Sequence, residues 1–121
     1  MGKVVLRLSK KADAAAVIEL DPLKRKGIIE RAIANGECFL IVAEESRVGF
    51  IIFNYNFFGR GFIDLIEIKE SRRGHGYGGA AIQELFKVCK TERIFTSTNG
   101  LLHCKVRQDH NYGTRLINRK I

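Results

Sequence analysis

The sequence predicts a mixed α/β (α+β) domain: a mostly antiparallel central sheet that ends in one parallel pair and carries flanking helices. Three observations carry this. Two helix-patterned segments precede three strand-like runs, Cys38–Glu44, Val48–Phe58 and Phe62–Ile68, joined by turns short enough for hairpins. A segment holding four glycines, Ser71–Ala80, then opens another helix-patterned stretch. A further strand-like run, Arg93–Thr98, follows that helix, and strand, helix, strand in that order implies a right-handed parallel crossover. The 121 residues fit a single domain, 1–121, large enough to bury roughly two-thirds of its unfolded surface.

Each element has its own signal. Val4–Leu8 is a short apolar run suited to a strand. Ser9 is placed to cap a helix whose Ala14, Val17 and Ile18 share a face, and Asp21-Pro22 ends it. Ile28, Ile29, Ala32 and Ile33 recur at helical spacing, with Asn35-Gly36 as the stop. Cys38–Glu44 is a buried strand, followed by a tight turn at Glu44–Arg47. Val48–Phe58 alternates in its second half, and Gly59-Arg60-Gly61 turns it into Phe62–Ile68. Ile82, Leu85, Phe86 and Cys89 form the apolar stripe of the helix after the glycines, with Lys87 and Lys90 complementing its dipole. Over the last 22 residues a short helix is expected near Leu102–Asp109 and a strand near Tyr112–Ile117.

Composition excludes several classes. Hydrophobic residues make up 45% and charged residues 28%, as in ordinary globular proteins, and no apolar run approaches the ~20 residues that span a bilayer. The first residues lack the apolar core of a secretory signal, and Cys38, Cys89 and Cys104 form no C-x-x-C pair; both point to a reducing cytoplasm rather than a disulfide framework. The net charge of +8 favours polyanionic partners, whether nucleic acid, a membrane surface or a phosphorylated cofactor. No nucleic-acid-binding motif accompanies the charge, so nucleic acid is the weakest of the readings. His103, Cys104 and His110 match no standard zinc spacing, and no metal is expected. The aromatics Phe50, Phe53, Tyr55, Phe57 and Phe58 suit an acceptor pocket but, as large apolar residues, fit the core better.

Glycines directly behind arginines describe an anion cradle, since bare backbone N–H groups at a helix start suit phosphate oxygens. Gly74, Gly76 and Gly79 satisfy G-x-G-x-x-G, but the next strand ends in Thr96-Ser97-Thr98 where a dinucleotide fold places an acid. A P-loop fails because no Gly-Lys-Ser/Thr follows, and a kinase loop fails for want of H-R-D and D-F-G. Arg73-Gly74-His75-Gly76-Tyr77-Gly78 follows R-x-x-G-x-G/A and resembles the pyrophosphate-binding motif of the GNAT superfamily of N-acetyltransferases. A strand before the motif and an amphipathic helix after it match that family's context. The resemblance covers about residues 4–99 and is strongest over Ile63–Leu85.

The resemblance implies a GNAT-like acyl-CoA N-acyltransferase fold with the parallel pair splayed and the C-terminal strands shortened, and acetyl transfer from acetyl-CoA to an amine of a small molecule or protein. Backbone donors for the pyrophosphate would lie in Arg73, Gly74, His75, Gly76, Tyr77, Gly78 and Gly79, and the pantetheine arm would pair with the backbone of Ile66 and Ile68. Arg72, Lys69 and His75 would help with phosphate charge, and Asn99 matches an asparagine that contacts cofactor or water. A charge inside a central strand is unusual, which singles out Asp64 and Glu67. Their odd separation puts them on opposite faces, and Glu67 is the first choice for the base that an ammonium of pKa about 10.4 requires, unless it only meets a nearby arginine. Arg107 stands where the family commonly has a tyrosine acid, with Tyr55 and Tyr77 as weak substitutes. The short end implies either a lost strand or a homodimer that completes the sheet, and the missing tyrosine leaves a non-catalytic CoA-binding module as the alternative.

Overall fold

The computed structural model describes residues 3–96 and the strand Leu116–Asn118. Among these residues six strands form one sheet in chain order: β1 (Val4–Leu8), β2 (Cys38–Ala43), β3 (Ser46–Phe57), β4 (Arg60–Ile68), β5 (Ile94–Thr96) and β6 (Leu116–Asn118). The first four pair antiparallel, and β4–β5 and β5–β6 are parallel. Helices α1 (Ala14–Leu20) and α2 (Lys26–Ala34) lie between β1 and β2, and α3 (Tyr77–Val88) lies between β4 and β5.

The apolar run of β2 shows why the sheet is buried on both faces. Phe39, Ile41 and Ala43 pack with Ile82 and Leu85 of α3, whereas Cys38, Leu40 and Val42 pack with Val17 of α1 and Ile29 of α2. Consecutive residues of a strand point to opposite faces, so an unbroken apolar run needs a cover on each side. Of the aromatics, Phe50 and Phe53 are core, and Phe58 is 88% exposed at the β3–β4 turn.

Several boundaries differ from expectation. Ser9 does not cap α1: it is buried, its N–H donates to the Cys38 carbonyl at 2.9 Å, and its hydroxyl donates to the Cys38 sulfur at 3.4 Å. Asp13 does the local capping instead, accepting from the Lys10 N–H at 2.8 Å, a bond that holds its carboxyl below the usual range. The β3–β4 turn centres on Phe58 and Gly59, both at positive φ, so Arg60 and Gly61 already belong to β4. Lys90 lies beyond α3, where its N–H donates to the Tyr55 hydroxyl at 3.0 Å. The helix expected at Leu102–Asp109 lies outside the described residues, as does Tyr112. Leu116 and Ile117 fall in β6, which runs along β5 at an edge of the sheet.

Register is the feature that matters most for β4. Ile52 pairs with Leu65 but Phe53 pairs with Ile63, so Asp64 is an extra residue in β4. Ile63 and Ile66, three apart across that slip, pack in the same α3-side cluster. The parity that would place Asp64 and Glu67 on opposite faces therefore does not hold across it. Next to this segment the neighbouring strand is in tight contact: a Cβ at Gly49 would fall onto the Glu67 carbonyl oxygen and crowd the Ile68 Cα. Gly49→Ala should therefore cost about 1–3 kcal/mol, because the atom in the way is backbone. The check is a lower urea midpoint at unchanged m-value.

Candidate active site

From Asp64 onward β4 has no strand partner on its β5 side among the described residues, because the β4–β5 ladder covers only Gly61–Ile63. The direction of the freed backbone groups follows from the hydrogen bonding on the other side. Lys69 N–H donates to the Val48 carbonyl at 2.7 Å. Antiparallel bonding alternates along a strand, so Glu67 and Leu65 face β3 with their backbone groups, while Ile66 and Ile68 turn theirs outward. The Arg73 guanidinium confirms the direction: its Nε donates to the outward Ile68 carbonyl at 2.8 Å.

The chain then makes a short turn, Arg72 N–H donating to the Lys69 carbonyl at 2.8 Å, and enters α3 through two glycines. Gly74 and Gly76 have φ of +84° and +81°, a region glycine adopts without strain. Gly76 is the N-cap of α3, and the first helical bond runs from Ala80 N–H to its carbonyl at 3.0 Å. The N–H groups of Tyr77, Gly78 and Gly79 thus belong to the first turn, which has no intrahelical acceptor. A Cβ at Gly74 or Gly76 would meet nothing within 4 Å, so a ligand can come directly against the loop.

One groove of about 290 Å³ gathers the sequence-predicted residues: Ile66, Glu67, Ile68, Arg73, Gly74, Gly76, Tyr77, Gly78 and Gly79, together with Arg72. His75 is not part of its lining; the ring Nδ1 lies 3.0 Å from the Arg72 carbonyl and the ring stacks on Tyr77. Tyr77 itself is 4% exposed and packs in the core, and the Tyr55 hydroxyl accepts from the Lys90 N–H. Asp64 is exposed and accepts from Asn54 Nδ2 at 3.4 Å, apart from the groove. Asn99 and Arg107 lie outside the described residues.

Glu67 lines the groove within a cluster that sequence reading did not assemble. Arg25 Nη2 donates to Glu67 Oε2 at 3.1 Å, and Arg73 Nη2 lies 3.6 Å from Glu67 Oε1. Arg25 is in turn gripped by Asp21, through Nε at 2.9 Å and Nη2 at 2.8 Å. Asp21 also accepts the N–H groups of Leu23 at 3.1 Å and Arg25 at 2.9 Å, so it organises the α1–α2 connection around the guanidinium. Its side chain is fully buried, and Arg25 holds its carboxyl far below the usual carboxylate range; the same bond raises Arg25. The i,i+4 spacing of Asp21 and Arg25 was a visible signal for half of this cluster. Beside it, a wider hollow of about 1010 Å³ shares Arg72 and Arg73 with the groove and is bordered by Arg7, Arg47 and Lys69 against Glu19, Glu45 and Glu70.

Among the described residues no group of three or more His, Cys, Asp or Glu side chains is placed to hold a metal, and no helix is long and apolar enough to cross a membrane. His103, Cys104 and His110 lie outside those residues.

Asp21 has a defined pH signature. Its folded-state pKa is depressed, so its stabilisation is present above its ordinary unfolded value of about 3.9 and is lost as pH falls below it. Asp21→Asn should flatten the loss of stability between about pH 4 and pH 2. Asp21→Ala, which removes the buried partner of Arg25 and leaves the guanidinium only Glu67, should cost about 3 kcal/mol at neutral pH. Urea midpoints measured across that pH range check both.

Comparison with known proteins bears on the groove. The family model described as acetyltransferase (GNAT) family matches residues 12–117. No curated protein matches the sequence. Among solved structures, an acetyltransferase of the GNAT family from Bacillus cereus aligns with a TM-score of 0.75 at 23% identity, over 91% of this chain and 82% of that one. Diaminobutyrate acetyltransferase EctA from Paenibacillus lautus, in complex with L-2,4-diaminobutyric acid and coenzyme A, aligns with a TM-score of 0.63 at 20% identity, covering 88% and 72%. Ribosomal-protein-alanine N-acetyltransferase from Brucella melitensis biovar Abortus aligns with a TM-score of 0.61 at 20% identity, covering 87% and 89%. At these identities the likeness is one of fold.

Proposed function

Because this chain belongs to the GNAT acetyltransferase family, we propose that it transfers an acetyl group from acetyl-CoA to a primary amine, by direct attack of the nitrogen on the thioester. One observation carries the reading: the outward backbone of Ile66 and Ile68 leads straight into a glycine-lined helix start, within a single groove. An extended, amide-bearing arm that ends in a pyrophosphate fits those two features in that order. The first-turn N–H groups of Tyr77, Gly78 and Gly79, with the helix dipole, face the negative charge, and Arg73 adds a cation beside them.

Acetyl-CoA supplies the acetyl group as an activated thioester. Glu67 is the carboxylate placed to receive a proton from an incoming ammonium, leaving the neutral amine that attacks. The new C–N bond forms as C–S breaks, and the coenzyme thiol carries away one proton, so amine and thioester become amide and thiol. Holding both reactants against β4 supplies much of the rate. The neighbours include an enzyme for a small diamine and one for a protein amino group, so the reading keeps both acceptor classes. A cytoplasmic location, with free Cys38 and Cys89, and a homodimer along the β6 edge belong to the same proposal.

Two outcomes test it. Acetyl-CoA and CoA should raise the melting temperature while NAD does not, and Gly76→Val should abolish the shift, since a β-branched residue resists φ near +81° and fills the space at the loop. An unaltered CoA affinity in that variant would remove the cradle. Glu67→Gln should lower turnover by ~10²–10⁴-fold without weakening CoA binding, measured by free-thiol release over an amine panel. Wild-type turnover at every pH would return Glu67 to a structural role.

A further inference from the structure

The two arginines that hold Glu67 are unequal. Arg25 makes a hydrogen bond of 3.1 Å to Oε2, is 28% exposed, and is locked from behind by the fully buried Asp21. Arg73 only approaches Oε1, at 3.6 Å, and is 51% exposed. At that distance the contact is one of charge rather than a hydrogen bond. Its Nε donates to the Ile68 carbonyl at 2.8 Å, and because the guanidinium is one rigid plane the two contacts are made, and given up, together. It lines the same groove as the glycine loop, where the pyrophosphate belongs under the proposed function.

We propose that Arg73 is a cofactor-driven clasp on Glu67: in the free protein it covers Oε1, and the pyrophosphate of the bound coenzyme draws its Nη groups away and uncovers that oxygen for the acceptor ammonium. This rests on the proposed function and adds an order of events to it. A diphosphate is a stronger partner for a guanidinium than one shared carboxylate, because it offers bidentate oxygens and more charge. Oε2 stays held by Arg25, so the carboxylate keeps its position as its free oxygen is exposed. Before the coenzyme arrives, Arg73 repels an ammonium from Glu67; afterwards its charge is matched by phosphate. Arg73 is thus a positioning residue that couples coenzyme binding to the acceptor side.

The clasp can be read without knowing the acceptor. The full chain is labelled with ¹³C at the glutamate side-chain carboxyls, and the Glu67 signal is assigned by its loss in Glu67→Gln. Adding CoA should move that signal. Pantetheine, which carries the arm without the pyrophosphate, should leave it in place at concentrations that shift the Ile66 and Ile68 amides, while inorganic pyrophosphate should move it. In Arg73→Gln the signal should start displaced and respond no further to CoA. Movement of the Gly76–Gly79 amides reports coenzyme binding independently. If those amides respond to CoA while the Glu67 carboxyl does not, or if Arg73→Gln responds like wild type, the clasp is overturned and the proposed function stands. If CoA moves neither, the proposed function fails and the clasp with it.

Discussion

Among the described residues the β4–β5 ladder covers only Gly61–Ile63, and the groove is built on the outward backbone of β4 that follows it. An unpartnered backbone N–H or C=O costs about 1–3 kcal/mol if it is also shut away from water, so a central strand does not lose its neighbour without some replacement. Here Arg73 satisfies the Ile68 carbonyl, and the groove leaves the remaining outward groups open to solvent or ligand. The extra residue at Asp64 follows the last described rung of that ladder, Ile63–Thr96, and shifts the register of β4 against β3. Beneath, Ile66 and Ile68 still pack toward α3, so the strand is held by its side chains while its outward backbone edge lines the groove.

A second constraint acts on charge. The chain carries +8, yet the cations nearest Glu67 are not loose: Arg25 is neutralised by Asp21, and both it and Arg73 are turned toward Glu67. Coulomb attraction between a half-exposed pair is modest, which makes the Arg73 contact exchangeable, whereas the buried Asp21 carboxylate with four donors is not. Difference in burial, rather than in residue type, separates the fixed arginine from the movable one.

Sequence was informative wherever the physics is local. The unbroken apolar run of β2, the stop at Asn35-Gly36 and the glycine loop into α3 are all decided by neighbouring residues, and all stand where expected. The spacing of Arg73, Gly76 and Gly78 carried the family resemblance because it encodes a backbone shape with little help from the rest of the chain. What could not be read depended on partners far away in sequence. Ser9 looks like a helix cap until Cys38 takes both its N–H and its hydroxyl. The slip at Asp64 is invisible without β3, and it defeats the parity that would have sorted the two acids. Arg25 meets Glu67 from the α1–α2 connection, and no motif links the two positions.

Glu67 brings these constraints to one residue. Its carbonyl lies where a side chain at Gly49 would be, so its backbone is fixed by close approach of β3. Its neighbours on either side, Ile66 and Ile68, are the residues whose backbone faces the groove, so one peptide unit away from the groove edge the chain offers a carboxylate on the other face of the strand. One oxygen of that carboxylate is tied to Arg25, which the buried Asp21 aligns. Each restraint comes from a different element, β3, β4 and the α1–α2 connection, and none of them uses the second oxygen. Under the proposed function such placement matters, since an error of about 1 Å in a reacting group costs on the order of 10²-fold in rate. The fold therefore fixes the carboxylate from three sides and leaves its remaining oxygen to Arg73, at the head of the glycine loop.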